Sequence, residues 1–243
     1  RINFKKELDI EEDYMYGLKN NIIHKSKHHL QVLHQNGFIK QKGETCSPKK
    51  NINYEITEKG IIASSIREVS GILFAELIYD NKFDELNVDE FIAFLSCFNE
   101  IKVSDEVCIY NIDGIPKDIV NFNIRETLRE TQTIIDLYLL QEEQLQMFTG
   151  TFDIKLKFDL LPYVLRWVKA DNEVDCRTII ADMGENIGVF LGDFSKTLLK
   201  INNISNELYQ LFVERNNVKL AHLVSQIPER IMKFVVLNQS LYI

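Results

Sequence analysis

Helical periodicity dominates the chain from Ser70 onward, and this feature most constrains its fold. Apolar residues recur three and four positions apart in successive segments, as they do in helices that bury one face. Only the alternating stretch 151–157 is compatible with extended structure. We therefore expect residues 67–243 to form an all-α helical bundle. The predicted helices cover residues 70–79, 88–98, 119–147, 160–168, 175–183, 192–214 and 219–237, and Pro228 should kink the last one unless it occupies a first turn.

Residues 1–66 carry a different pattern, a helix followed by two short strands. The helix is predicted over residues 15–35 and stops at Gly37, because glycine adopts the left-handed conformation without a Cβ clash. The first strand follows directly. After the polar loop 42–50, alternating apolar and polar side chains over residues 52–56 predict the second strand. These elements form a β-hairpin.

Residues 54–60 read Y-E-I-T-E-K-G and fit the pattern Y-x-I/L-T-x-x-G, which in winged-helix modules marks a strand that enters a helix. Thr57 is of a residue type that caps helices. Together with the hairpin and its basic tip at Lys49 and Lys50, the pattern predicts the C-terminal part of a winged-helix module. A small α+β element with a solvated lysine loop is the alternative.

The predicted fold class is therefore mainly α. A partial winged-helix element with a β-hairpin, residues 1–66, is followed by the helical bundle, residues 67–243. The chain begins at Arg1 without an initiator methionine, and the last predicted helix runs almost to its end. We accordingly expect it to be the C-terminal piece of a longer protein.

Charge is distributed unevenly along the chain. The formal net charge is −8, which argues against a general nucleic-acid coat. Residues 1–66 hold 11 Lys+Arg and 8 Asp+Glu, whereas the remaining residues hold 17 and 28, so the two parts carry +3 and −11. An acidic body with a local basic surface is typical of a protein that touches nucleic acid at defined places.

The sequence lacks the motifs of independent catalysis. It contains no phosphate loop, no dinucleotide-binding glycine pattern, no H-E-x-x-H and no G-x-S-x-G. Four histidines cluster over residues 24–34, but no cysteine or carboxylate at ligand spacing accompanies them, so a solvated or phosphate-facing helix is the preferred interpretation. We predict no catalytic residue, no metal site and no cofactor-binding site in this chain.

The remaining compositional signals indicate an intracellular protein. The four cysteines are scattered and form no C-x-x-C pair, as expected for reduced thiols. No apolar run approaches the roughly 20 residues of a membrane span, so no membrane association is expected.

Two lysines, Lys196 and Lys200, stand one helix turn apart on a segment whose apolar residues are spaced to face a core. At positions i and i+4 they project from one helix face. One interpretation is the solvent side of an amphipathic helix. The other is a channel wall that touches the phosphates or bases of a threaded strand.

The sequence resembles the C-terminal region of Ski-type DExH-box RNA helicases, including those that feed RNA to the exosome. Residues 192–196 read G-D-F-S-K, as in the family's G-x-x-x-R/K helix, and residues 240–243 read S-L-Y-I, as in its closing S-L-Y-L/I. Residues 93–98, A-F-L-S-C-F, are similar to the family's A-L-L-S-C-F, and Trp167 matches its tryptophan. The resemblance covers roughly residues 25–243.

This resemblance implies the end of a winged helix plus the helical bundle called the ratchet domain, which closes over two motor domains. Lys196 and Lys200 match two basic positions on the ratchet helix, and Glu100 lies near an acidic position close to the RNA. The implied partners are single-stranded RNA, or DNA, and the upstream RecA-like motor domains of the same polypeptide. ATP and Mg are expected in those motor domains and not in this chain.

The chain departs from the family at two places. Lysine stands where many members have arginine, which removes the planar fork that stacks on bases and leaves phosphate contact. The segment 167–192 is longer than in the exosome-associated members, which bears on the placement of the ratchet helix.

Two other functions fit parts of the sequence. The basic stretch 19–59 and the turn at residues 54–60 would suit a non-enzymatic winged-helix DNA-binding protein with a helical dimerisation domain. Against it, residues 1–14 are too short and acidic to supply the first helices of a freestanding module. A purely structural interaction domain is the third possibility.

Overall fold

The computed structural model describes residues 2–42, 53–145 and 150–234. The chain divides into two compact units, each described by itself. The first unit comprises Arg1–Ile61 and Asp136–Asp153, and the second comprises Ile62–Ile135 and Ile154–Ile243. The predicted boundary at residue 66 stays a prediction. Within the described ranges, no helix has the length and apolar character needed to cross a membrane.

The predicted fold class, mainly α with one β-hairpin, is confirmed. The strands are β1 (Ile39–Gln41) and β2 (Tyr54–Ile56), and a 3₁₀ turn covers Ile112–Gly114. The helices are α1 (Ile2–Gln35), α2 (Glu58–Ser65), α3 (Gly71–Tyr79), α4 (Val88–Ser96), α5 (Phe122–Gln144), α6 (Leu161–Lys169), α7 (Glu173–Ile187), α8 (Leu191–Glu214), α9 (Val218–Ser225) and α10 (Ile227–Ile231).

Helix α1 ends in the glycine stop that the sequence predicts. Gly37 has a φ of +75°, in the left-handed region. The N–H of Gly37 donates to the carbonyl of His34 at 3.1 Å, and that of Phe38 donates to the carbonyl of Leu33 at 2.8 Å. These two bonds form a Schellman motif, which satisfies carbonyls left unpaired at the helix end. The chain therefore turns directly into β1.

Strands β1 and β2 pair antiparallel, with Ile39 opposite Ile56 and Gln41 opposite Tyr54. The chain then enters α2 through a turn, called here the Thr57 turn, that comprises Phe38, Thr57 and Gly60. Thr57 Oγ1 accepts the N–H of Gly60 at 3.1 Å, and its hydroxyl lies 2.6 Å from the carbonyl oxygen of Gly37 and 2.9 Å from that of Phe38. The main-chain N–H of Thr57 donates to the carbonyl of Phe38 at 3.0 Å. Thr57 thus caps α2, as predicted, and fixes it to the hairpin.

The core of the second unit is built around α4. Asn87 and Glu90 form a reciprocal capping box at its start, which satisfies two backbone donors. The helix then buries nearly every side chain along its length. Five phenylalanines pack around it, with ring centroids 4.9 to 6.2 Å apart: Phe74, Phe83, Phe91, Phe94 and Phe98. The Phe91 and Phe94 rings are stacked, and the other pairs are tilted or edge to face.

Helix α8 completes this core and packs against α4, α9 and α10. Its Phe194 ring meets Trp167 of α6 edge to face at 5.1 Å. The indole N–H of Trp167 donates to the carbonyl of Ile231 at 3.0 Å, so the buried polar atom is satisfied. On the opposite side, Glu207 Oε2 accepts the N–H groups of both Arg67 and Glu68 at 3.0 Å.

Three sequence expectations differ from the structure. Helix α1 begins at Ile2 and not near residue 15. Residues 2–14 contain good helix formers, which favour the helix, but they have no clear apolar stripe from which its start could be predicted. The stretch 151–157 contains no strand. The last predicted helix, residues 219–237, is two helices as far as residue 234, and residues 235–237 lie outside the described residues. Pro228 lies in the first turn of α10, where its missing N–H costs no helical bond.

Candidate nucleic-acid interface

A cleft of about 450 Å³ in the second unit brings three predicted site residues together. Glu100, Lys196 and Lys200 all line it. Its walls are the loop that follows α4, the turn between α7 and α8 and the first turns of α8. We refer to it as the α8 cleft.

Helix α8 presents its lysines to the cleft because its other face is needed by the core. The helix begins at Leu191, directly after the extended residue Phe190. A buried stripe occupies its inner face: Phe194, Leu198, Ile201, Ile204 and Leu208. Lys196 and Lys200 fall outside this stripe, one turn apart, and line the cleft.

Lys200 is half-buried and anchored. Its Nζ donates to the carbonyl oxygen of Phe98 at 2.9 Å. Phe98 lies just beyond the C-terminal end of α4, where unpaired carbonyls and the helix dipole favour a cation. An ammonium group has three donors, so two are left for a ligand. Lys200 therefore joins α8 to the loop after α4 and also supplies charge to the cleft.

Lys196 is exposed, and among the described residues it forms one surface ion pair. Its Nζ lies 3.2 Å from Oδ1 of Asp193, and the two side chains are 75% and 61% exposed. Asp193 lies in the first turn of α8, where a carboxylate is favoured by the helix dipole. Pairs of this kind contribute about 0–1 kcal/mol, so an incoming anion can replace the carboxylate.

The cleft has charges of both signs. Three lysines line it, namely Lys102, Lys196 and Lys200, against the two carboxylates Glu100 and Asp193. The lining therefore carries one excess positive charge. Its cations can contact phosphates, whereas its carboxylates repel them but accept hydrogen bonds from base amino groups. Such a lining suits binding and positioning.

Lys102 and Asp193 were missed by the sequence prediction. Asp193 could have been found, because it stands three residues before Lys196 on a predicted helix and must neighbour it. Lys102 had no such signal. It joins the cleft only because the loop after α4 returns to α8.

The other two predicted nucleic-acid residues, Lys49 and Lys50, lie outside the described residues. Two lysines near the hairpin of the first unit are already engaged. Lys40 Nζ lies 3.6 Å from Oε2 of Glu55 across the strands. Lys59 Nζ donates to the carbonyl of Asn36 at 3.0 Å.

The histidine-rich face of α1 shows contacts within the helix. His28 Nδ1 lies 2.7 Å from the carbonyl oxygen of His24, and the two rings stack with centroids 6.1 Å apart. In the part of the chain that the structure describes, no group of three or more His, Cys, Asp or Glu could hold a metal ion.

Comparison with known proteins gives one family. The sequence profile of the DSHCT (NUC185) domain matches residues 53–239. This domain is found in Ski-type DExH-box RNA helicases, so the resemblance inferred from the sequence is confirmed. The matched range contains every residue that lines the α8 cleft. Among curated proteins, none matches the chain significantly.

Proposed function

The chain belongs to the DSHCT (NUC185) domain family, and from that premise we propose that it guides the translocating single strand of an ATP-dependent, superfamily 2 DExH-box RNA helicase. Occurrence of this domain in helicases supports an accessory role. Strand guiding by the α8 cleft is the specific part of the proposal.

One observation carries this specific part. Glu100 and the lysine pair are about a hundred positions apart in the chain, yet they line one cleft. Lys196 and Lys200 are separated by one helix turn, about 6 Å along the axis. The helix therefore presents a short row of cations to a strand that passes through the cleft.

The chemistry of lysine suits a strand that must keep moving. Phosphate contacts by ammonium groups depend on salt and carry little sequence preference. The carboxylates of Glu100 and Asp193 reduce the net attraction further. Contacts of this kind hold a strand in place without fixing one register.

In this proposal, the ATP-hydrolysing motor is a different part of the polypeptide. ATP and Mg²⁺ would be bound by RecA-like motor domains upstream in the same polypeptide, since this sequence contains no phosphate loop. The residues of this chain bind and orient the strand, and hydrolysis moves it.

The test compares two double variants in the full natural polypeptide. Lys196→Ala/Lys200→Ala should weaken single-strand RNA binding by about tenfold and lower the slope of log affinity against log salt by about 1.4, which is 0.7 for each lost phosphate contact. Fluorescence anisotropy at several salt concentrations measures both, and a strand-displacement assay measures unwinding. The charge-matched control is Lys117→Ala/Lys169→Ala, two exposed lysines outside the α8 cleft.

Unchanged affinity and unwinding in the cleft variant, at normal folding, would contradict the proposal. Tight binding of duplex DNA that is insensitive to both cleft lysines would favour the winged-helix DNA-binding alternative. The same titration with single-stranded DNA establishes which type of strand is preferred.

A further inference from the structure

Gly192 occupies a helical position where the fold has no need of glycine. It is the second residue of α8, and its φ lies outside the left-handed region. Apart from its chain neighbours and the backbone of α8 itself, no described atom lies within 4 Å of the place where a Cβ would stand. Glycine costs most in a helix interior and less in a first turn, but alanine would also fit here and would restrict the unfolded chain.

At two nearby positions, the protein's own structure explains why the residue is glycine. Gly188 ends α7 with a φ of +69°, a conformation that side chains other than glycine rarely adopt. At Gly184, an added Cβ would lie 3.3 Å from the ring of Phe190. Gly192 has neither a special backbone conformation nor a close neighbour.

The position of Gly192 relative to the lysines indicates contact with another molecule as the reason for a glycine here. Gly192, Lys196 and Lys200 are spaced four residues apart, so they follow one face of α8. Gly192 is exposed and lies one turn nearer the helix start than Lys196, just beyond the residues that line the α8 cleft. Glycine at such a position lets another molecule approach the main chain closely.

We propose that Gly192 is a contact site for the single strand, whose sugar or base lies against the bare backbone while its neighbouring phosphates meet Lys196 and Lys200. This inference rests on the proposed function and adds a steric element to it. The missing Cβ sets how close to the helix axis the strand can run.

The experiment places side chains of increasing size at this position in the full natural polypeptide. Gly192→Ala should raise the melting temperature by about 1–3 °C, because alanine restricts the unfolded chain and favours the helix. It should nevertheless weaken single-strand RNA binding by about threefold. Gly192→Leu should weaken it by tenfold or more, since overpacking a fitted contact costs about 5- to 100-fold in affinity.

Gly17→Ala is the matched control. Gly17 also lies in a helix, is exposed and has no described atom within 4 Å of its Cβ position. We expect a similar gain in melting temperature and no change in RNA affinity. Opposite signs for stability and affinity at Gly192 alone are the signature of a ligand contact.

The outcomes separate this inference from the function on which it rests. If the lysine variants weaken RNA binding but both Gly192 variants bind normally, the glycine contact is wrong and strand guiding stands. If Gly192→Leu lowers ATPase activity without lowering RNA affinity, the bare backbone meets another part of the polypeptide, which also overturns the inference. If neither lysine nor glycine variants change RNA affinity, strand guiding itself is wrong.

Discussion

The Thr57 turn and the start of α8 both use glycine, for opposite reasons. At Gly60, an added Cβ would lie 2.2 Å from the carbonyl oxygen of Phe38, far inside van der Waals contact. At Gly192, an added Cβ would meet no described atom within 4 Å apart from its chain neighbours and the backbone of its own helix. The first glycine is required by the protein's own packing. The second is not required by the packing of the described residues, and the proposed strand contact gives it a role.

This difference separates residues that stabilise the fold from residues that are available to bind a ligand. The Thr57 turn joins a hairpin to a helix through backbone atoms that leave no room for a side chain. The α8 cleft instead exposes Lys196, which forms a surface ion pair, beside Lys200, which also holds the loop after α4. A pattern in the sequence can mark either kind of position, and only the neighbouring atoms tell them apart.

The largest expected effect is at the Thr57 turn. Gly60→Ala should lower the free energy of unfolding by about 3 kcal/mol, because the clash is with a main-chain carbonyl that Thr57 also holds. Urea denaturation followed by circular dichroism measures the change, with Gly17→Ala as the control. A variant as stable as the unsubstituted protein would show that the turn can widen and would remove the contrast with Gly192.

An intermediate effect is expected for Lys200 and almost none for Lys196. Lys200→Ala breaks the bond to the carbonyl of Phe98 and should lower the free energy of unfolding by about 1 kcal/mol. Lys196→Ala removes only an exposed ion pair and should change it by less than about 0.5 kcal/mol. Urea denaturation of the two single variants makes the measurement. Equal losses would mean that both lysines serve the fold.

The smallest expected effect is a gain in RNA affinity and not a loss of stability. Asp193→Asn frees Lys196 from its carboxylate partner and should tighten single-strand RNA binding by about two- to fivefold. Anisotropy at low salt measures the gain, which should shrink as salt rises because exposed charges are screened. Asp182→Asn, at a carboxylate of the same unit outside the cleft, is the control. Weaker binding by the Asp193 variant would show that the carboxylate itself contacts the strand.

Local structure was largely predictable because it depends on neighbours in the chain. The predicted α8, residues 192–214, matches Leu191–Glu214, since its apolar stripe is long and regular. The stops and caps at Gly37 and Thr57 were also predictable from residue type. The predicted start of α1, residue 15, was wrong because charged helix formers leave no periodic apolar pattern in the sequence.

The candidate site was only partly predictable. The lysine pair follows from helical spacing, whereas its meeting with Glu100 depends on how α4 and α8 pack. Spacing along the chain contains no information about that contact. Lys102 was missed for the same reason, and Glu100 was included only through a family resemblance.

The bond between Glu207 and the N–H groups of Arg67 and Glu68 has a mechanical consequence. It fastens the segment that enters α3 to the same helix that carries Lys196, about 16 Å further along the axis. A helix is stiff over that length, so the position of this backbone segment and the position of Lys196 both depend on α8.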